Sequence, residues 1–191
     1  MEASARGSAV NEHVIYKARN FTVRSATFVR PGAAEERELI YIDQPPVAIA
    51  IPLLADGKIV MAEQWRPLVG DVLLECPGGK VEKNESPEEA LRRELSEEIG
   101  LAPGKIRKLG DFFSSVGAST EHIFFFVASE LIQVKRRPED KQKIKLVYLT
   151  EDEARGRLRR AMFPDGKTRL ALLTYFSEVD MGASNAPTSD A

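Results

Sequence analysis

From Gly78 to Leu101 the chain reads GGKVEKNESPEEALRRELSEEIGL, and this stretch carries the start and stop of a helix in full. Ser86 is placed to cap the first turn. Pro87 follows at the first helical position, where a missing N–H is no loss, and Glu89 completes a capping box three residues after the serine. At the other end Gly100 supplies the left-handed conformation that closes a helix, and Leu101 the apolar contact that goes with it. The spacing therefore predicts a helix over residues 86–99.

The same helix carries three acids in little more than one turn, Glu94, Glu97 and Glu98. With ~100° per residue and Leu91 at zero, Leu95 falls near ~40° and Ile99 near ~80°, a stripe for the core. Glu98 lies near ~−20°, at the margin of that stripe, with Glu94 near ~−60° and Glu97 near ~−120°. Two readings stay open on geometry alone. On an exposed face, like charges one turn apart cost only about 0.2–0.5 kcal/mol, so a solvated face is tolerable. In a partly buried cleft at an effective dielectric of ~20, carboxylates ~5 Å apart repel by roughly 3 kcal/mol, which a proton or a cation must relieve. An all-oxygen set suits Mg²⁺ or Mn²⁺ better than zinc.

Around this helix the periodicity is of another kind. VIYKA, FTVRSATFV and ELIYI, between residues 14 and 42, read as short strands separated by turn residues. PVAIAIPLL (46–54) and KIVMAEQW (58–65) flank Ala55-Asp56-Gly57, which predicts a hairpin. DVLLECPGG (71–79) is a strand running into a turn. Beyond the helix, KIRKLGDFFSS, HIFFFVASEL and IKLVYLT read as strands, and EDEARGRLRRAMF and KTRLALLTYFSEV as closing helices. The order implies a mixed sheet between helices rather than a regular alternation of strand and helix. Residues 1–12 and the small, polar 181–191 are expected to be disordered.

Balance of charge narrows the function classes. With 27 Lys+Arg against 29 Asp+Glu the net charge is −2, which gives no basic footprint for nucleic acid. The lone cysteine, Cys76, excludes an internal disulfide framework and suits a reducing compartment. No signal peptide is expected in MEASARGSAVNEHV, and no run of about 18 apolar residues predicts a membrane span. The expectation is a cytoplasmic protein.

Gly79, five residues, Glu85, seven residues, then Arg93-Glu94-Leu95-Ser96-Glu97-Glu98-Ile99-Gly100-Leu101 matches every fixed position of the Nudix box, so the chain resembles the Nudix hydrolases. The resemblance implies an α+β fold, an α/β/α sandwich with a mixed sheet, over 46–180, preceded by an antiparallel β segment over 13–45. It implies Mg²⁺ (or Mn²⁺) held by Glu94, Glu97, Glu98 and the carbonyl of Gly78, with Arg93 and Glu85 as an orienting pair. EQWRP (63–67), LLECPGG and DGKTRLALL (165–173) are similar to the branch that hydrolyses ADP-ribose and other nucleoside diphosphate sugars. By that likeness Arg66 contacts the substrate, Glu75 lies near metal and substrate, and Glu121, in the loop SSVGASTEHI, completes the metal site or acts as general base from a mobile loop. The N-terminal β segment there supports a homodimer. Where relatives show Ser-Pro-Gly, this chain has Ser115-Val116-Gly117. That departure leaves GDP-mannose or another nucleoside diphosphate derivative open beside ADP-ribose. A module that senses a nucleotide without cleaving it is the alternative of another class.

Overall fold

The computed structural model describes residues 9–29, 35–135 and 144–184. Two compact units emerge. One takes in the residues up to Pro46 together with Phe112–His122, the other Val47–Asp111 and the residues from Ile123 onward.

The first unit is built on an antiparallel sheet of β1 (Ala9–Lys17), β2 (Thr22–Val29) and β3 (Glu36–Asp43), in that order. β1 opens at Ala9, inside the stretch whose composition suggests disorder, because Ala9 and Val10 find partners in Phe28 and Thr27 of β2. The first eight residues lie outside the described residues. The end of β3 is stitched to the 115–121 loop: the Ile42 N–H donates to the Ala118 carbonyl at 2.8 Å, and the Thr120 N–H to the Ile42 carbonyl at 2.9 Å.

The second unit holds two sheets. β4 (Val47–Pro52), β7 (Gly78–Lys80), β8 (Leu101–Phe113) and β9 (His122–Gln133) form one in the order β7-β4-β9-β8; β5 (Ile59–Arg66), β6 (Asp71–Glu75) and β10 (Lys145–Leu149) form the other in the order β10-β5-β6. β4 runs parallel to β9 and antiparallel to β7, so the first of these sheets is mixed. This corrects the expected hairpin. The Asp56-Gly57 turn does form, with the Leu54 N–H on the Lys58 carbonyl at 2.9 Å, but beyond one bridge at Leu53 and Ile59 the strands part into different sheets. The turn is a local matter; the partners of β4 and β5 are chosen by burial of long-range apolar surface.

Among the described residues there are three helices: α1 (Pro87–Glu98), between β7 and β8, and α2 (Glu151–Arg159) and α3 (Gly166–Ser184), after β10. The last runs into the segment read as a disordered tail, since Met181–Ser184 are helical. α1 and α3 both pack against β4. The sequence of β4 explains why it tolerates cover on both sides: Ala48 and Ala50 join the cluster formed by Ala90, Leu91, Leu95 and Ile99 of α1, while Ile49 and Ile51 alternate to the other face and are equally buried. Small residues on the α1 side let that helix approach closely. Phe125 and Phe126 of β9 are core, as their strand reading requires. No helix among the described residues is long and apolar enough to cross a membrane.

Candidate active site

Both caps of α1 stand where the sequence places them. The Ser86 hydroxyl accepts from the Glu89 N–H at 3.2 Å and the Glu89 carboxylate accepts from the Ser86 N–H at 2.7 Å. Gly100 ends the helix with φ 69°. Leu91, Leu95 and Ile99 are buried, which rotates the three acids to the edge of the core. There they are half-buried: the side chain of Glu94 is 16% exposed and that of Glu97 22%. The acids therefore do not form a fully solvated face.

Arg93 organises one side of the cluster. Its Nε and Nη2 donate to the two oxygens of Glu85 at 3.0 Å each, and Nη2 also to the Lys80 carbonyl at 2.9 Å. Nη1 donates to Glu94 at 2.9 Å and to Glu97 at 3.4 Å. All five donors of the guanidinium are thus committed. The Glu85–Arg93 pair that the family resemblance implies is present, and through it the arginine bridges Glu85 to two acids of α1. The bond to Arg93, against slight burial, holds the Glu85 carboxyl below its usual range.

Glu98 belongs to the other side. Its Oε2 accepts the Gly78 N–H at 3.0 Å. Burial pushes its carboxyl up to about 7; the Gly78 N–H opposes that rise, and the neighbouring charge of Glu94 adds to it. Both glycines of the turn are required by space. At Gly78, with φ 147°, a Cβ would stand 2.2 Å from the Ala48 carbonyl oxygen. At Gly79 a Cβ would fall 2.3 Å from a Glu94 carboxylate oxygen, so the missing side chain is where that carboxylate sits.

Arg66 and Glu75 form a pair the sequence reading did not anticipate. Nε and Nη2 of Arg66 bond the two Glu75 oxygens at 2.7 and 2.6 Å, and the Glu75 side chain is only 5% exposed. The pair lies within electrostatic reach of Glu98, whose carboxyl is lowered by the charge of Arg66 and raised by that of Glu75. Arg66, Glu75, Gly78, Arg93, Glu94, Glu97 and Glu98 therefore share the second unit. Glu121 belongs to the first. It is half-buried, and its N–H donates to the Ser119 hydroxyl at 3.0 Å. The loop before it, expected to be mobile, is held by β3 and by Gln44, which bonds Thr120 and Ser119 at 3.0 and 3.2 Å. Trp65, next to Arg66 at the end of β5, is 53% exposed.

Among the described residues no three acidic, His or Cys side chains stand close enough together to ligate one ion as they are placed. Arg93 neutralises Glu94 and Glu97, and Glu98 is turned onto Gly78. In chemistry the set fits a hard divalent cation: its donors are carboxylate oxygens, half-buried, with one carboxyl that burial disfavours as an anion. Glu97 and Glu98 also occupy the last turn of α1, the negative end of the helix dipole, and that turn contains no basic residue of its own. A cation relieves each of these penalties.

Sequence reasoning passed over Asp165 and Thr168. Asp165 accepts at Oδ2 from the Thr168 N–H at 3.0 Å and hydroxyl at 2.8 Å, and at Oδ1 from Lys167 at 2.8 Å. Burial raises its carboxyl, but Lys167 and Thr168 outweigh that and hold it below the usual range. Thr168 in turn accepts the Cys76 N–H at 2.9 Å. The signal was the DGKTR run itself; its role depends on a partner 92 residues away, which no local pattern encodes.

The family model described as NUDIX domain matches residues 43–171. The chain is 33% identical over 144 residues to the ADP-ribose pyrophosphatase of Bacillus subtilis (strain 168), covering 74% of this chain and 76% of that protein. It is 33% identical over 128 residues to the GDP-mannose pyrophosphatase of Yersinia pestis, covering 62% and 64%. Among solved structures, the crystal structure of an ADP compounds hydrolase superposes with a TM-score of 0.77 over 95% of this chain and 98% of that one, at 17% identity, a likeness of fold.

Proposed function

Because the chain belongs to the Nudix family, we propose that it hydrolyses the diphosphate of ADP-ribose or a related nucleoside diphosphate sugar, with Mg²⁺ or Mn²⁺ bound at α1. The observation that carries this reading is the sequestered acid cluster at the C-terminal end of α1, facing the Gly78-Gly79 turn. Glu94, Glu97, Glu98 and the Gly78 backbone would hold the cation. Such an ion offsets the charge of a diphosphate and makes a water molecule more acidic.

The chain's own groups supply the rest. Arg93, anchored on Glu85 and the Lys80 carbonyl, positions Glu94 and Glu97. Arg66 spends Nε and Nη2 on Glu75, which aims Nη1 for a phosphate oxygen; Glu75 thus acts by orienting Arg66. The part of general base for the attacking water is carried over to Glu121 from the family likeness alone. The water oxygen bonds to one phosphorus as the bridging P–O bond breaks, and the leaving phosphate keeps the electron pair. The products are a nucleoside monophosphate and a sugar phosphate. Val116, 87% exposed in the loop before Glu121, stands where proline stiffens the loop of ADP-ribose hydrolases. Together with the GDP-mannose relative, it keeps that sugar nucleotide in the panel.

We read the working protein as a cytoplasmic homodimer. The buried, lone Cys76 suits a reducing compartment, and the exposed Val14, Ile15, Tyr16 and Ile40 of the N-terminal sheet offer apolar surface to a second copy. The test of function is a panel of ADP-ribose, GDP-mannose and related sugar nucleotides with Mg²⁺, products resolved by chromatography. Cleavage at the diphosphate supports the proposal. Tight binding in calorimetry without product would instead make the protein a sensing module, and neither binding nor cleavage would end both readings.

A further inference from the structure

The turn that presents Gly78 to Glu98 is tied down residue by residue. Glu75 ends β6 holding Arg66. The Pro77 carbonyl accepts the Ala50 N–H at 3.0 Å. The Gly78 N–H goes to Glu98. Between them, the Cys76 N–H goes to a side chain rather than to a strand, because here the chain leaves the β10-β5-β6 sheet for the β7-β4-β9-β8 sheet and has no ladder partner. That side chain is Thr168, fully buried at 0% exposure, whose hydroxyl proton is spent on Asp165. With its proton fixed there, the hydroxyl oxygen is left to accept from Cys76. Asp165 is held in its turn by Lys167 and by the first turn of α3.

We propose that Thr168 is a positioning residue for the acid cluster, acting through the Cys76 amide to set the Gly78 N–H against Glu98. The inference rests on the reading of α1 as a cation site and goes beyond it by assigning the start of α3 a part in that site. Four links connect Asp165 to Glu98: the Thr168 hydroxyl to Asp165, the Cys76 N–H to that hydroxyl, two peptide units from Cys76 to Gly78, and the Gly78 N–H to Glu98. Without the hydroxyl the Cys76 N–H is buried with no acceptor, so the turn must shift to find one, and Gly78 shifts with it. Coupling of this kind is reciprocal: if the anchored turn favours the cation, the cation favours the anchored turn.

The test is calorimetric titration of the whole chain with Mn²⁺ alone, comparing wild type with Thr168→Val and Thr168→Ser. Valine keeps the volume and removes the hydroxyl; serine keeps the hydroxyl. Thr168→Val weakens Mn²⁺ binding by about tenfold, and Thr168→Ser restores it to within about twofold, the scale on which groups behind metal ligands act. A folded valine variant that binds Mn²⁺ like wild type overturns the proposal, because a purely structural threonine lowers the melting temperature and leaves the affinity of folded molecules alone. If the valine variant does not fold, hydrogen exchange on wild type decides. Protection of the Cys76 and Gly78 amides rising together on Mn²⁺ addition supports the coupling, and a rise at Gly78 alone refutes it. Hydrolysis by wild type with unaltered Mn²⁺ binding in the valine variant sinks only this inference; weakened Mn²⁺ binding in a protein that cleaves no sugar nucleotide sinks only the substrate reading.

Discussion

α1 and α2 begin with the same cap and end with opposite electrostatics. Each opens on a capping box, Ser86 with Glu89 and Thr150 with Glu153. In α2 the acids Glu151, Asp152 and Glu153 crowd the first turn and Arg157 and Arg159 the last, each sign at the end where the helix dipole favours it. Its acids are exposed, and Arg155 ties Glu151 and Asp180 at the surface at 2.7 Å each. In α1 the last turn carries Glu97 and Glu98 with no basic residue, half-buried and beside Glu94. Each end effect is worth about 0.3–1 kcal/mol. An arrangement that forgoes this, and adds burial of like charges, is not selected for stability. The two helices differ not in the number of their acids but in the end of the helix that carries them and in their burial, and the proposed cation site rests on that difference.

The sharpest way to break the contrast is to remove one carboxylate from each helix. Glu98→Gln is expected to lower kcat by at least about a hundredfold, the scale of losing a central electrostatic group. Its melting temperature should hold or rise, since a buried, mutually repelled acid is gone. Glu151→Gln is expected to change kcat by less than about twofold, because a surface pair contributes only about 0–1 kcal/mol. Equal effects at both positions would erase the distinction.

Next in size is Arg93→Lys, which replaces a five-donor fork by a point charge. Turnover is expected to fall about tenfold and stability by about 1–3 kcal/mol, read from urea melts. The pH dependence has a definite sign. The Glu85 carboxyl is held below its ordinary value, so its contribution is present above that value and is lost as pH falls through the lowered one. The stability difference between wild type and variant should therefore shrink on acidification. A gap that widens in acid would place the arginine's main partner elsewhere. The smallest expected effect is at the caps: Ser86→Ala and Thr150→Ala should each cost about 1 kcal/mol of stability, and only the former helix should report any change in turnover.

Legibility followed the range of the interaction. α1 was readable to the residue because Ser86, Glu89, Gly100 and the Leu91, Leu95, Ile99 stripe act within one or two turns. The burial of Glu98's face followed from the same local spacing, and the Glu85–Arg93 pair from the resemblance to the Nudix box. The hairpin at Asp56-Gly57 failed because turn chemistry specifies a reversal but not which strands pair after it; Val47 finds Ile123, 76 positions on. Arg66 with Glu75, and Thr168 with Cys76, are likewise products of tertiary placement. The early start of β1 was hidden by composition, since Ala9-Val10-Asn11-Glu12 gains order from its neighbour strand rather than from its own propensity.

The central claim is that the acids ending α1 are there to bind a divalent cation. A crystal soaked in Mn²⁺ and measured at an anomalous edge addresses it most directly. The account predicts a peak bounded by Glu94, Glu97 and Glu98 with Glu97 released from Arg93. A data set with no peak there, the two acids still on Arg93 and Glu98 still on the Gly78 N–H, would contradict it.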